Sequence, residues 1–353
     1  MRIVNRGYIK ACLLAGMSWL WLSASAISEN IKIQGDHGQL DAIVQTPMME
    51  HGQKVSMAII CHGFTGNKNE KLLTNIADSL EKRGIASIRF DFNGHGKSEG
   101  EFINMTVPNE LVDASKVYEY VKSLDYVDNI FIIGHSQGGV VAAMTAGNLG
   151  EKELAAAVLL APAAVLRDDA LRGSTMGAFF DPYNPPDSIP FMGGKKILGG
   201  NYIRTATDLP IYETAVKYQG PLCVIHGNYD RVVPYTYGKR FCDANKNSVW
   251  HLLAGADHVF SNHENEVAHL VAVYLNSKKK ASGISKSSKS KTEISTAGTE
   301  ELGGGYSRDD KHAYYNGHII STAQGGKNFT YKGGYYATDG VNTYYKGKIV
   351  DRD

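Results

Sequence analysis

Between residues 30 and 276, short apolar runs rich in β-branched residues alternate with amphipathic stretches, and this alternation restricts the fold more than any other feature of the chain. The runs MAIICH (57–62), ASIRFDF (86–92), NIFIIGH (129–135), AAVLLAP (156–162), LCVIHG (222–227) and WHLLAG (250–255) are almost continuously apolar. Strands of a parallel sheet read this way, because helices cover both of their faces. Between them, 69–83, 109–124, 137–149 and 263–276 carry apolar residues at helical spacing. The pattern predicts an α/β fold with a mostly parallel central sheet and helices on both faces. Ahead of it, NIKIQG and LDAIVQTP predict an antiparallel hairpin at one edge.

Two segments break the rhythm. Residues 166–218 contain GAFFDPYNPPDSIPFMGGKKILGG, too rich in proline and aromatic residues for a sheet crossover. An insertion of that length in a compact domain reads as a lid. Residues 278–302 are rich in lysine and serine without apolar periodicity, which predicts a disordered linker. Beyond it, 303–353 holds eight of the 20 tyrosines. There AYYNGHII (313–320) recurs as TYYKGKIV (343–350), with a weaker FTYKGGYY (329–336) between. Short β-type units separated by glycine turns predict a small repeat module, with a glycan or cell-surface ligand as its expected partner.

At the other end, Arg2, Arg6 and Lys10 precede the apolar run ACLLAGMSWLWL, which closes near Ala24-Ser-Ala26. That is the layout of a cleaved signal peptide over 1–26, which predicts a secreted protein whose catalytic domain runs over 27–277. The run is short for a membrane span, so none is expected after cleavage. Cys61, Cys223 and Cys242 remain in the mature chain and form no disulfide framework; buried free thiols are expected. With 37 basic and 36 acidic residues, nothing advertises a nucleic-acid partner. No H-E-x-x-H or paired Cys/His cluster suggests a metal, and NGHGKSEG lacks the rest of a dinucleotide fingerprint, so no cofactor is expected.

The chemistry centres on GHSQG (134–138). A G-x-S-x-G pentad is common enough by chance to mean little alone, but this one follows a predicted buried strand and opens a helix of small residues. A sharp strand–turn–helix corner would lift the Ser136 hydroxyl above the sheet. A serine needs a base to take its proton and an acid to orient that base. Asp230 in HGNYDRVVP and His258 in GADHVF each follow a predicted strand and lie at the same sheet edge as Ser136. The order Ser…Asp…His is that of an α/β-hydrolase. An oxyanion hole needs two backbone N–H groups, and Gln137 and Phe64 (in CHGFTG) are placed to supply them.

The stretches HGFTGNKN, ASIRFDFNGHGKSEG, NMTV, GHSQGGVVAAM, LLAPAA, LPIYE, VIHGNYDRVV and GADHVF together resemble the bacterial cinnamoyl (feruloyl) esterases of the α/β-hydrolase superfamily over residues 28–276. That resemblance implies a secreted serine esterase acting on hydroxycinnamate esters of plant cell-wall polysaccharides. It places the triad at Ser136, Asp230 and His258 and the oxyanion donors at Phe64 and Gln137. It also implies that the lid holds the phenolic ring, with Asp169 and Tyr202 near its 4-hydroxyl. Asp168 is the alternative to its neighbour. A glutamine that often assists there is replaced by Met176. Of the lid aromatics Phe179, Phe180, Tyr183, Phe191 and Tyr202, one or two are expected to touch ligand. Competing readings are a general acyl esterase or lipase with the same triad, and an attachment protein whose repeats carry the main role. A homodimer is compatible with all of these.

Overall fold

The structure, a computed structural model, describes residues 27–49 and 52–279, and in the C-terminal part 300–303, 306–310, 312–315, 318–320, 328–333, 336–345 and 348–352. Residues 1–26 with Cys12, where a signal peptide is expected, and 280–299 of the expected linker lie outside the described residues. The chain divides into two units, 1–283 and 284–353.

Unit 1 follows the alternation read from the sequence. In chain order it contains β1 (Ile27–Gln34), β2 (Gln39–Thr46), β3 (Val55–Cys61), α1 (Lys71–Glu81), β4 (Ile85–Phe90), α2 (Val107–Ser123), β5 (Val127–His135), α3 (Gln137–Leu149) and β6 (Ala156–Leu160). The lid region follows as α4 (Val165–Arg172), the strand pair β7 (Ser174–Thr175) and β8 (Ala178–Phe179), the pair β9 (Ser188–Phe191) and β10 (Lys196–Gly199), α5 (Gly200–Ala206) and α6 (Ile211–Ala215). The domain closes with β11 (Leu222–Gly227), α7 (Tyr235–Asp243), β12 (Ser248–Leu253) and α8 (Glu264–Asn276).

Eight strands form one sheet in the order β1-β2-β4-β3-β5-β6-β11-β12. From β4 to β12 the pairs are parallel, while β1–β2 and β2–β4 are antiparallel. This is the α/β-hydrolase fold. The period of two within each strand sends alternate residues to two separate cores. Ala58, Ile60, Phe131, Ile133, Val158 and Leu160 pack with Leu72, Ile76 and Leu80 of α1 and Val267, Val271 and Leu275 of α8. Their neighbours Met57, Ile59, Ile132, Ala157 and Leu159 pack with α2 and α3. Both faces are therefore dry, which is why these strands are apolar throughout. Helix α2 begins earlier than its apolar spacing suggests because Thr106 caps it, its hydroxyl accepting from the Asn109 amide at 3.3 Å. Cys61, Cys223 and Cys242 are free buried thiols. Among the described residues no helix is long and apolar enough to cross a membrane.

The loop after β3 carries a buried charge cluster. Lys68, only 2% exposed, places its ammonium 2.5 Å from both Asp91 and Asp41. Its amide donates to Asp91 and its carbonyl accepts from Arg89. The cluster ties loop 62–70 to the sheet at the point where Phe64 must be held. Charges this deep are tolerated only when paired. Lys68→Met should therefore cost about 3–5 kcal/mol in denaturant unfolding, since Asp91 is left buried and uncompensated. A cost below about 1 kcal/mol would show that the cluster does not hold the loop.

Unit 2 contains two antiparallel four-stranded sheets, β13 (Glu300–Gly303) to β16 (His318–Ile319) through β14 (Tyr306–Arg308) and β15 (Ala313–Tyr315), and β17 (Thr330–Gly333) to β20 (Lys348–Arg352) through β18 (Tyr336–Thr338) and β19 (Asn342–Tyr345). The two are copies at a spacing of 30 residues. Asp309 accepts from the His312 amide and the Tyr314 hydroxyl, and Asp339 accepts from the Asn342 amide and the Tyr344 hydroxyl. Tyr306, Phe329 and Tyr344 fill the core with Tyr315 and Tyr331 packed against them, while Tyr336 and Tyr345 are exposed.

Candidate active site

Ser136 sits between β5 and α3 with φ 55° and ψ −121°, a backbone that an L-residue adopts only under constraint. The turn closes because its flanks have no side chains. A Cβ on Gly134 would stand 2.0 Å from the Gly138 carbonyl oxygen, and one on Gly138 would stand 2.3 Å from the His62 carbonyl oxygen. Main-chain bonds finish the corner: Ser136 N–H donates to Leu160 at 2.9 Å, and its carbonyl accepts from Gly139 and Ala163.

The two loops beyond β11 and β12 bring the other candidates to it. Asn228 and Tyr229 donate their amides to Leu253 and Ala256, so the loops run together. The Ser136 hydroxyl donates to His258 Nε2 at 2.8 Å, and His258 Nδ1 donates to Asp230 Oδ2 at 2.7 Å. The tautomer follows from the carboxylate, which can only accept. Burial opposes ionisation of Asp230, but hydrogen bonds from His226 and His258 and the Val233 amide outweigh it and hold the carboxyl well below its usual range. His135, also buried, donates from Nε2 to the His258 carbonyl at 2.9 Å and steadies that loop. The arrangement can remove the serine proton, hold the resulting imidazolium against a fixed anion, and return the proton to a leaving group.

Gln137 is the first residue of α3, so its amide has no intrahelical acceptor. Phe64 stands opposite, in a loop so close to the corner that a Cβ on Gly63 would touch Ser136 Cβ at 3.0 Å. His62 supports that loop: its Nδ1 donates to the Gly63 carbonyl and its Nε2 accepts from Phe92.

Two cavities meet at Ser136. One, of about 290 Å³, lies under the lid and is lined by Phe64, Gln137, Leu166, Asp169, Met176 and Tyr202 among others. The other, of about 860 Å³, shares Phe64, Met176, Arg231 and Val232 with it and is edged by Glu70, Lys71, Tyr229, Asp257 and Glu264. The structure thus brings all seven sequence-derived candidates to one place. Asp169 faces the smaller cavity with one oxygen paired to Arg172; burial raises its pKa and Arg172 partly offsets this. Asp168 takes the other helix face and accepts from Tyr237 at 2.5 Å. Of the five lid aromatics only Tyr202 lines that cavity. Phe191 is packed beneath, against Phe64, and Tyr183 is 97% exposed. Met176, at φ 46°, borders both cavities. Among the described residues no group of three or more His, Cys, Asp or Glu could hold a metal ion.

Sequence reasoning missed Glu110. It is 2% exposed, and its Oε2 accepts from Gln137 Nε2 at 2.9 Å, while Gln137 Oε1 accepts from the Tyr202 hydroxyl at 2.8 Å. A chain of buried hydrogen bonds therefore runs from α2 through Gln137 to the lid. Burial pushes Glu110 up to about 8, against an ordinary value of 4.5. The folded protein then keeps a proton that the unfolded chain has released. Stability from this group is complete below the unfolded value and is lost as pH rises through the folded one. Glu110→Gln preserves the acceptor and removes the titration. In thermal unfolding from about pH 5 to 9 the variant should gain on the parent protein as pH rises. Parallel curves would count against a protonated Glu110.

Comparison with known proteins agrees with this geometry. A family model described as serine aminopeptidase S33 (Hydrolase_4) matches residues 52–180. The structure of ferulic acid bound to Est1E from Butyrivibrio proteoclasticus is similar at 32% identity and a TM-score of 0.67, covering 70% of this chain and 98% of that one. An Escherichia coli chain, an uncharacterized 31.7 kDa protein of the traX-finO intergenic region, is 25% identical over 256 residues, 63% of this chain and 89% of its own. Lysophosphatidylserine lipase ABHD12 of Danio rerio is 27% identical over 187 residues, 52% of this chain and 45% of its own, so the match spans less than half of that lipase. The protein is a serine hydrolase of the esterase type and belongs to the α/β-hydrolase superfamily, among the bacterial cinnamoyl (feruloyl) esterases.

Proposed function

We propose that this esterase releases hydroxycinnamic acids of the ferulate type from esters of plant cell-wall polysaccharides. The observation that carries this reading is the small cavity of about 290 Å³ at Ser136, with Asp169 and Tyr202 in its lining. It lies at the small end of ligand pockets, about 300–1,000 Å³, which suits one flat aromatic acid. The bound ferulic acid of Est1E supports the same choice.

In this mechanism His258 takes the Ser136 proton as the hydroxyl attacks the ester carbonyl, and Asp230 holds the imidazole tautomer. The amides of Phe64 and Gln137 receive the oxyanion. His258 then protonates the leaving alcohol, and water releases the acid from the acyl-serine by the same steps reversed. The larger cavity takes the alcohol. At about 860 Å³, with charged groups and the exposed Tyr229 ring along its edge, it is far roomier than a small alcohol requires and suits a sugar. On this reading residues 1–26 direct export, which brings the enzyme to a substrate too large to enter a cell. The C-terminal repeats hold it on glycan or a cell surface.

The hydrogen-bond polarity of the acyl cavity sharpens the specificity. Tyr202 spends its proton on Gln137, and Asp169, paired with Arg172, is a carboxylate. Both can only accept, so the ring must donate. A free 4-hydroxyl has one proton to give to either of them; a bare ring or a methoxy group has none.

Ser136→Ala should lower kcat on the order of 10⁴-fold, and retention of a tenth of parental turnover would remove Ser136 as nucleophile. Methyl ferulate should exceed methyl cinnamate and methyl 3,4-dimethoxycinnamate by roughly 10- to 100-fold in kcat/KM. Asp169→Ala should erase most of that preference and leave hydrolysis of a small acetate ester nearly unchanged. Equal damage to both substrates would make Asp169 structural instead.

A further inference from the structure

Asp230 accepts four hydrogen bonds. Two reach Oδ1, from the amides of Val232 and Val233, each at 2.8 Å. Two reach Oδ2, from His258 Nδ1 at 2.7 Å and from a second imidazole, His226 Nε2, at 3.1 Å. The side chains of Asp230 and His226 are both wholly shut off from solvent. His226 lies near the end of β11, and its Nε2 also stands 3.0 Å from the Val233 carbonyl. Both neighbours of Nε2 are acceptors, so the ring proton is on that nitrogen.

The other side of the ring is not built for comfort. Nδ1 has no hydrogen-bond partner among the described residues. It faces α7, where a Cβ on Gly238 would stand 2.4 Å away. A buried polar atom without a partner is unfavourable, because it has lost its water and gained nothing in return. An apolar ring would fill the same space without that penalty. What a hydrocarbon would lack is the Nε2–H.

We propose that His226 is a positioning residue, whose Nε2–H shares Asp230 Oδ2 with His258 and thereby fixes the carboxylate and moderates its pull on the histidine base. The inference rests on the triad assigned above. It acts through two links. First, Asp230 cannot rotate about its side-chain bond while both oxygens are engaged, so His258 meets one oxygen in one direction. Second, a donor on Oδ2 withdraws part of the negative charge that would otherwise stabilise the His258 imidazolium. Without His226 the imidazolium gains stability, and a more acid-sensitive enzyme results. The sign is definite: the acidic limb of kcat/KM moves to higher pH.

His226→Phe removes the donor and keeps a ring. His226→Gln returns an N–H close to the Nε2 position. Full pH profiles of kcat/KM should be taken for both variants and the parent, on methyl ferulate and on a small acetate ester. The other groups facing His258 and Asp230 are unchanged in these proteins: His135 from the end of β5, Asp257 beside His258, and Arg231 and Glu264 along the open cavity. For His226→Phe the expected result is a loss of roughly 10- to 100-fold with the acidic limb raised by about half to one pH unit, on both esters. His226→Gln should stay within about threefold of the parent, with its limb in place. An unmoved limb in His226→Phe, or a His226→Gln as impaired as His226→Phe, would overturn the proposal. Should His226→Phe fail to fold, the parent protein still answers. Nitrogen NMR of histidine-labelled enzyme, with His226 assigned by its absence in His226→Gln, should show protonated Nε2 and bare Nδ1, and the opposite tautomer sinks the idea. Because the acetate ester reads the same limb, the inference survives a failure of the ferulate preference. An active Ser136→Ala would instead remove the triad on which it stands.

Discussion

The strained corner at Ser136 is the constraint on which the rest of the site depends. A non-glycine residue at φ 55° and ψ −121° is unfavourable by about 1–3 kcal/mol and persists only where its surroundings leave no alternative. Here β5 is fixed on both sides by parallel partners, and α3 is packed all round, so the chain has one residue in which to turn. Gly134 and Gly138 permit the crossing because any side chain would meet backbone oxygen. The result is a hydroxyl presented above the sheet and a helix amide beside it, both aimed by the scaffold rather than by a flexible loop.

Buried polar groups then set the parts that surround the corner. Lys68 with Asp91 and Asp41 anchors the loop of Phe64. Glu110, Gln137 and Tyr202 connect α2, the start of α3 and the lid. Asp230, with its four donors, sets the base. Each group is expensive to bury unpaired, and each is paired, so every one of them dictates a single arrangement. The smaller cavity and the wider opening meet at Ser136 and share Phe64, Met176, Arg231 and Val232 in their linings.

Much of this was legible because it is local. Strand and helix periods, the glycines of the pentad, and the positions of Asp230 and His258 just past two apolar runs need no knowledge of distant contacts. The side-chain directions in the lid were not legible. Asp168 and Asp169 are neighbours on α4 and so face about 100° apart, and only packing decides which one meets the cavity. Phe191 and Tyr183 look alike in sequence, yet one is buried and the other wholly exposed. Glu110 was hidden for another reason. An acidic residue in the first turn of a helix reads as a solvent-facing partner for the helix dipole, and its burial depends on Gln137 and the lid reaching it. His226 drew no reading of its own inside the run LCVIHG, because its contact with Asp230 depends on an aspartate four residues later folding back beside it.

The central claim is that Ser136 becomes acylated by a hydroxycinnamoyl group. Rapid acid quench of the enzyme during turnover of an activated ferulate ester, followed by intact-mass and peptide-level mass spectrometry, tests this directly. The expected result is one feruloyl group, held on the peptide containing Ser136, formed in a burst and absent from Ser136→Ala. A feruloyl group on any other residue, or turnover without a covalent species under conditions that trap an acetyl group on Ser136, would contradict it.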